Sequence, residues 1–207
     1  MTAAVFSPFP GWDRSRPSAT ATTCSPCWRP PRRSRAIGNN PGVKFHLDHT
    51  FDAALETVET AMVDPEFLEG TRLPDVGPPE VLSREEDGDT VTLRVSYHYT
   101  GSLDSLARRV LRSGDVTWVQ ETVLDRRTHR TTFSVTPKVH ADRFECGGVM
   151  HLTAGSSVTE RVIDGELEIK VPLFGRRAEG LILPGIRTRM NREAELLDQW
   201  LKAHPAG

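Results

Sequence analysis

The sequence predicts an α+β domain in which one curved, seven-stranded antiparallel sheet packs on a long C-terminal helix. Two observations carry that expectation. From Arg176 to Ala203 an apolar stripe recurs at helical spacing (Ala178, Ile182, Ile186, Met190, Ala194, Leu197, Leu201), with Arg176, Arg177, Arg187, Arg192 and Asp198 off it. Ahead of it, residues 43–171 hold stretches of alternating apolar and polar residues, joined mostly by links short enough for hairpins. A helix of about seven turns with one apolar face needs a broad apolar surface, which a sheet supplies.

The elements follow in order. Residues 43–49 alternate as a strand, with Phe45, Leu47 and His49 on one side and His46 and Asp48 on the other. His46 and His49 therefore face opposite ways and cannot share a metal ion. Asp52 is placed to cap a helix over 53–63, and Asp64-Pro65 ends it and opens a second, short one anchored by Phe67 and Leu68. Strands are then expected over 79–86, 89–100, 115–125, 129–137, 143–153 and 157–171, with a tight turn at Asp87-Gly88. Leu93, Val95, Tyr97 and Tyr99 face inward on the second of these, and Phe144, Cys146, Met150 and Leu152 share a face further on. Trp118 and Phe133 are the expected inward aromatics of the middle pair, although Val119 and Val123 leave the parity of 115–125 open. Gly147-Gly148 inside a strand suggests a bulge or a close approach. In the longer link after Gly101, Leu103, Leu106, Ala107, Val110 and Leu111 form the stripe of a short amphipathic helix ending at Gly114. Covering a sheet rim is the simpler use of such a stripe; a lid or a membrane-touching element is the alternative.

Residues 1–42 differ in kind. They hold 7 of the 15 prolines, 6 arginines and a single acid, Asp13, so they carry +5 while the remainder carries −7. Such a segment buries too little apolar area to fold, and it reads as a disordered extension, in effect a leader, ahead of a domain over 43–203. Cys24-Ser25-Pro26-Cys27 sits among prolines with no strand before it, which suits neither a redox turn nor zinc. The acidic domain argues against nucleic acid as a partner. Three cysteines in 207 residues argue for a reducing, cytoplasmic setting, and the absence of a long apolar run argues against stable membrane insertion.

Three tracts carry a resemblance: Phe45-His46-Leu47-Asp48-His49-Thr50-Phe51-Asp52-Ala53, Met62-Val63-Asp64-Pro65-Glu66-Phe67-Leu68, and Val171-Pro172-Leu173-Phe174-Gly175-Arg176-Arg177-Ala178-Glu179. With the element order, they resemble the START-like (SRPBCC) superfamily and, more narrowly, the bacterial family of domain of unknown function 2505. The resemblance covers about residues 43–203. It implies a helix-grip fold, a sheet wrapped about the C-terminal helix with an apolar cavity between. Superfamily members bind lipids, sterols, polyketides or hormones, and some are cyclases or aromatases.

No catalytic set, metal cluster or cofactor motif can be justified from the residues. Acid–base work would need an inward His, Asp, Glu or Tyr, and Tyr97, Tyr99, His49 and Gln120 are the inward polar candidates. The expected lining is Leu93, Val95, Tyr97, Tyr99, Trp118, Phe133, Met150, Ile182, Ile186 and Met190. It suits a non-catalytic binder of an apolar or aromatic small molecule or a lipid. A cyclase/aromatase-like enzyme using Tyr97 or Tyr99, or a protein-interaction module, is the alternative. Pro184 and Gly185 interrupt the long helix, and with Gly180 they are expected to kink it as a gate over the cavity mouth. Oligomeric state has no signal in the sequence.

Overall fold

Alternation in the sequence becomes a sheet whose two faces differ in kind. The computed structural model describes residues 42–102, 116–156 and 158–204. Their elements run β1 (Val43–Phe51), α1 (Leu55–Met62), α2 (Pro65–Gly70), β2 (Glu80–Asp87), β3 (Thr90–His98), β4 (Thr117–Asp125), β5 (Arg130–Pro137), β6 (Phe144–Ala154), β7 (Thr159–Ile169) and α3 (Gly175–Ala203), with a single 3-10 turn at Ala141–Arg143. Strand order is β1-β7-β6-β5-β4-β3-β2, antiparallel throughout. The strands from β2 to β7 form a meander. β1 joins it at the far edge in unbroken register with β7, from Val43 opposite Leu167 to Phe51 opposite Thr159. The segment carrying α1 and α2 spans from one edge of the sheet to the other.

Register settles the open parity. Tyr97 lies opposite Trp118 and Leu93 opposite Thr122, so Trp118, Gln120, Thr122 and Leu124 share the inner face while Val119 and Val123 lie on the outer one. β6 pairs with both neighbours without a register shift, so Gly147-Gly148 forms no bulge. Close approach is the reason for glycine there. Gly148 faces Gly165, and a Cβ at either would strike backbone or the rings of Phe133 and Phe45. The Phe45 ring thus packs against the bare backbone of Gly165 and the Phe133 ring beside that of Gly148.

Three local expectations are corrected. Ala54, not Asp52, precedes α1, with no side-chain cap. Asp64 does cap α2, its Oδ1 accepting from the Glu66 N–H at 2.8 Å. The β2–β3 turn sits one residue later than expected, on Gly88 and Asp89, with Gly88 at φ 56°. The stripe of α3 also differs in its first half. Gly175, Glu179, Met190, Ala194, Leu197 and Leu201 are buried and Leu183 and Ile186 pack on the core, whereas Ile182 is 39% exposed and Ala178 is not buried. Steps of four drift by about 40° each on a helix. Counting back from Met190, position 182 is therefore about 80° off the inner face and 183 only about 20° off it. The apolar stripe of the expected helix after Gly101, from Leu103 to Leu111, and all of the expected extension over 1–42 except Gly42 lie outside the described residues.

Candidate functional site

Between sheet and helix the predicted lining separates into two apolar clusters. Leu93, Val95, Tyr97 and Trp118 pack with Phe51, Leu55, Val58, Leu197 and Leu201. Phe133, Met150, Met190 and Ile186 pack with Phe45, Ile163 and Leu183. Tyr97 stacks on Trp118, centroids 5.5 Å apart and planes 12° from parallel. Tyr99 is not brought into either cluster. It follows the end of β3, bridges Val76 and is half-buried beside Gly101 and Asp75. Gly180, Pro184 and Gly185 all lie exposed on α3, which runs unbroken through the proline.

A polar belt shares this interior, and most of it was not singled out from the sequence. Arg161 of β7 is 1% exposed, on the inner face between Thr159 and Ile163. Its Nε and Nη2 reach His49 Nδ1 of β1 at 3.4 and 3.3 Å, and its guanidinium stands 5.2 Å above the Phe51 ring. His49 Nε2 lies 3.0 Å from Asn191 Oδ1 of α3. With Nδ1 accepting from arginine, Nε2 carries the proton and donates to Asn191. Burial, then the neighbouring Arg161, pushes the His49 pKa below its ordinary 6.5, so the ring is neutral. On the other side of α3, Arg189 Nη2 donates to Gln120 Oε1 at 2.7 Å, and its guanidinium lies 5.0 Å over the Tyr97 ring. Nη1 of Arg161 and Nη1 of Arg189 are buried with no hydrogen-bond partner. Burial lowers the Arg161 pKa, a tendency that Glu193 of α3 opposes. A buried guanidinium that cannot discharge costs several kcal/mol unless something compensates it.

The other titratable groups facing this space are poor proton carriers near neutrality. Burial pushes the Tyr97 phenol up to about 12 despite Arg189, and the Cys146 thiol up to about 11. Both stay protonated, so the first is a hydrogen-bond donor and the second an inert, weakly polar wall. Two further buried carboxylates serve the frame. Glu59 of α1 lies 2.9 Å from His129 Nδ1 beside β5, and Glu179 accepts from the Ile169 N–H at 2.9 Å, pinning the first turns of α3 to the end of β7.

Outside the core, α1 and the end of α3 border a groove of about 490 Å³ lined by Glu56, Asp64, Trp200 and His204 among others. Leu173, Phe174, Leu181 and Ile182 are exposed around the start of α3. Among the described residues no group of three or more His, Cys, Asp or Glu could hold a metal ion, and no helix is long and apolar enough to cross a membrane.

A sheet gripping a C-terminal helix over residues 43–203 sets the frame for comparison with known proteins. The profile of the family described as protein of unknown function (DUF2505) matches residues 46–201. The chain belongs to this family. No curated protein matches the DUF2505 chain. Solved structures do. Protein TTHA0849 of Thermus thermophilus superimposes with a TM-score of 0.59 at 19% identity, over 79% of this chain and 100% of that one. The Zhui aromatase/cyclase of a Streptomyces species gives 0.52 at 15% identity, over 80% and 99%. Ara h 8.0201 gives 0.55 at 8% identity, over 78% and 99%. At such identities the shared property is the fold. This DUF2505 domain has the START-like helix-grip fold, and its sequence tracts resemble that superfamily for a structural reason: they build β1, α2 and the start of α3.

Proposed function

We propose that this DUF2505 domain binds an apolar or aromatic small molecule or a lipid between the sheet and α3, without transforming it. The observation that carries this reading is the chemistry of the inner face. Two apolar clusters meet a sparse set of fixed polar groups, the usual composition of a ligand site. Of the groups facing that space, Tyr97, Cys146 and His49 are held in their neutral forms and the two arginines are permanently charged, so the set suits recognition better than proton transfer. Leu93, Val95, Tyr97, Trp118, Phe133, Met150, Ile186 and Met190 are the proposed lining. Gly180, Pro184 and Gly185 are the proposed gate, a point where α3 lacks one backbone donor and the exposed chain resists bending least.

Native mass spectrometry of the purified domain tests the reading: a co-purifying molecule of a few hundred daltons, released on denaturation, is the expected result. The second reading, a cyclase/aromatase-like enzyme, draws support from Tyr97 standing under Arg189, a phenol beside a cation that favours developing negative charge on oxygen. It requires turnover of a polyketide-type substrate that Tyr97→Phe abolishes, whereas a binder keeps its ligand in that variant with only a modest loss of affinity.

A further inference from the structure

The start of α3 turns apolar side chains away from the core. Of the six large apolar side chains exposed among the described residues, four (Leu173, Phe174, Leu181 and Ile182) fall within ten consecutive positions. Scattered singly they would need no explanation; gathered, they mark a contact surface. Leu181 stands nine residues before the buried Met190, about half a turn from it around the helix, so it points away from the core. Phe174, one residue ahead of α3 and in helical conformation, is seven residues before Leu181 and within about 20° of the same direction. Leu173 is 97% exposed, on a turn where the Phe174 and Gly175 N–H groups donate to Val171 O. Its φ of 67° is left-handed, a conformation that leucine rarely adopts. Folding alone gives no reason to hold a leucine in that backbone with its side chain in water.

Charge singles out the same stretch. Residues 170–192 hold six cations and one acid, whereas the rest of residues 43–207 holds 14 cations and 26 acids. The one acid, Glu179, is buried and accepts from the Ile169 N–H. Lys170 is paired with Glu145, Arg192 with Glu195, and Arg189 is bonded to Gln120. That leaves Arg176, Arg177 and Arg187 exposed, with no ion pair among the described residues.

We propose that this end of the domain docks on an anionic lipid surface, with Leu173, Phe174 and Leu181 entering the interface and Arg176 and Arg177 among the headgroups. The inference does not depend on anything held between sheet and helix. Charge complementarity picks out the partner: an acidic domain is repelled by an anionic bilayer unless it presents its cationic end. A protruding leucine also enters a fluid layer without a matching pocket, whereas the anchors of protein interfaces fill pockets. A second copy fits less well, since a two-fold contact through this patch brings like-charged arginines together. No helix among the described residues is long and apolar enough to cross a membrane, so the contact is a peripheral one.

The test is co-sedimentation of the full chain with vesicles of phosphatidylcholine alone or with about 30% phosphatidylglycerol. Binding to the anionic vesicles should exceed binding to the neutral ones roughly tenfold or more, and should weaken with added salt. Residues 1–42 carry +5 of their own, so the deciding comparison is between variants of the full chain, which share that segment. Leu173→Asn with Leu181→Gln should cut binding to anionic vesicles roughly tenfold; asparagine tolerates the left-handed backbone. Arg176→Gln with Arg177→Gln should do likewise by removing two surface cations. All four positions are exposed, so both variants should keep the native thermal midpoint within about two degrees. Absence of vesicle binding by the native chain overturns the inference and leaves the patch to a protein partner. Binding that both variants retain overturns it as well and assigns the membrane contact to another surface. Loss with the arginine pair but not with the leucine pair reduces the contact to charge attraction and overturns the entry of apolar side chains. A native dimer that Leu181→Gln dissociates overturns the lipid assignment and gives the patch to a second copy.

Discussion

His49 illustrates how one side chain ties stability to the site. Its Nδ1 accepts from Arg161 only while the ring is neutral, and burial with Arg161 alongside holds its folded pKa below 6.5. A base whose folded pKa is depressed stabilises the fold fully above its unfolded value, and that stability is lost as pH falls through the folded value. The charged groups acting on it are Arg161 against protonation and Asp48 and Glu193 in favour of it. Thermal midpoints measured from pH 7.5 downward should therefore begin to fall below about pH 6.5. His49→Gln does not titrate and should flatten that part of the curve. Parallel curves for the two proteins would assign the acid sensitivity to another group.

At the scale of elements, α3 joins two unlike halves. From Met190 to Leu201 it is docked by Met190, Ala194, Leu197 and Leu201. From Gly175 to Ile186 it is held by Glu179, Leu183 and Ile186, while Leu181, Ile182, Pro184 and Gly185 face water. Neither Gly180 nor Gly185 has a neighbour that a new Cβ would meet. Nothing in the packing opposes Pro184→Ala with Gly185→Ala, which restores a backbone donor and removes a flexible residue. Together these changes should stabilise the domain by up to about 4 kcal/mol, from the helix-interior penalties of proline and glycine. Denaturant unfolding measures the gain. If the gate proposal holds, ligand association and dissociation both slow in this variant while affinity moves little; unchanged exchange rates would leave the proline as a bend alone.

For the whole molecule, β1 is the critical closure. It comes first in the domain yet pairs with the last strand, and it brings Phe45 to one cluster and Phe51 to the other. Removing residues 1–41 should leave the thermal midpoint within a degree or two, as their proline- and arginine-rich composition suggests. Extending the deletion through Phe51 exposes the edge of β7, empties two aromatic sites at about 3–5 kcal/mol each and should abolish cooperative unfolding. A large loss from the shorter deletion would mean that the extension packs on the domain.

Periodicity was enough for the strands and the long helix, and Asp64-Pro65 marked the boundary between the two short ones, because alternation, helical stripes and end signals are all written in local order. It also placed Tyr97, Phe133, Met150 and Met190 in the interior, and Cys146 as a buried small side chain. Positions where period and geometry diverge were misread, as with Ile182 in place of Leu183, since a four-residue step drifts on a 3.6-residue helix. The β1–β7 pairing and the Gly148–Gly165 contact became visible only once strands far apart in sequence were neighbours. The same holds for the belt of His49, Gln120, Arg161, Arg189 and Asn191. Arg161 shares the parity of Ile163 and Leu167, so its inward direction was readable, but a charged residue on an apolar face gains meaning from its partners. Local sequence thus determined which face each residue takes; only the tertiary structure decided which polar groups meet there and which N–H groups are left unpaired, because hydrogen bonds across a core depend on distances that no local pattern encodes.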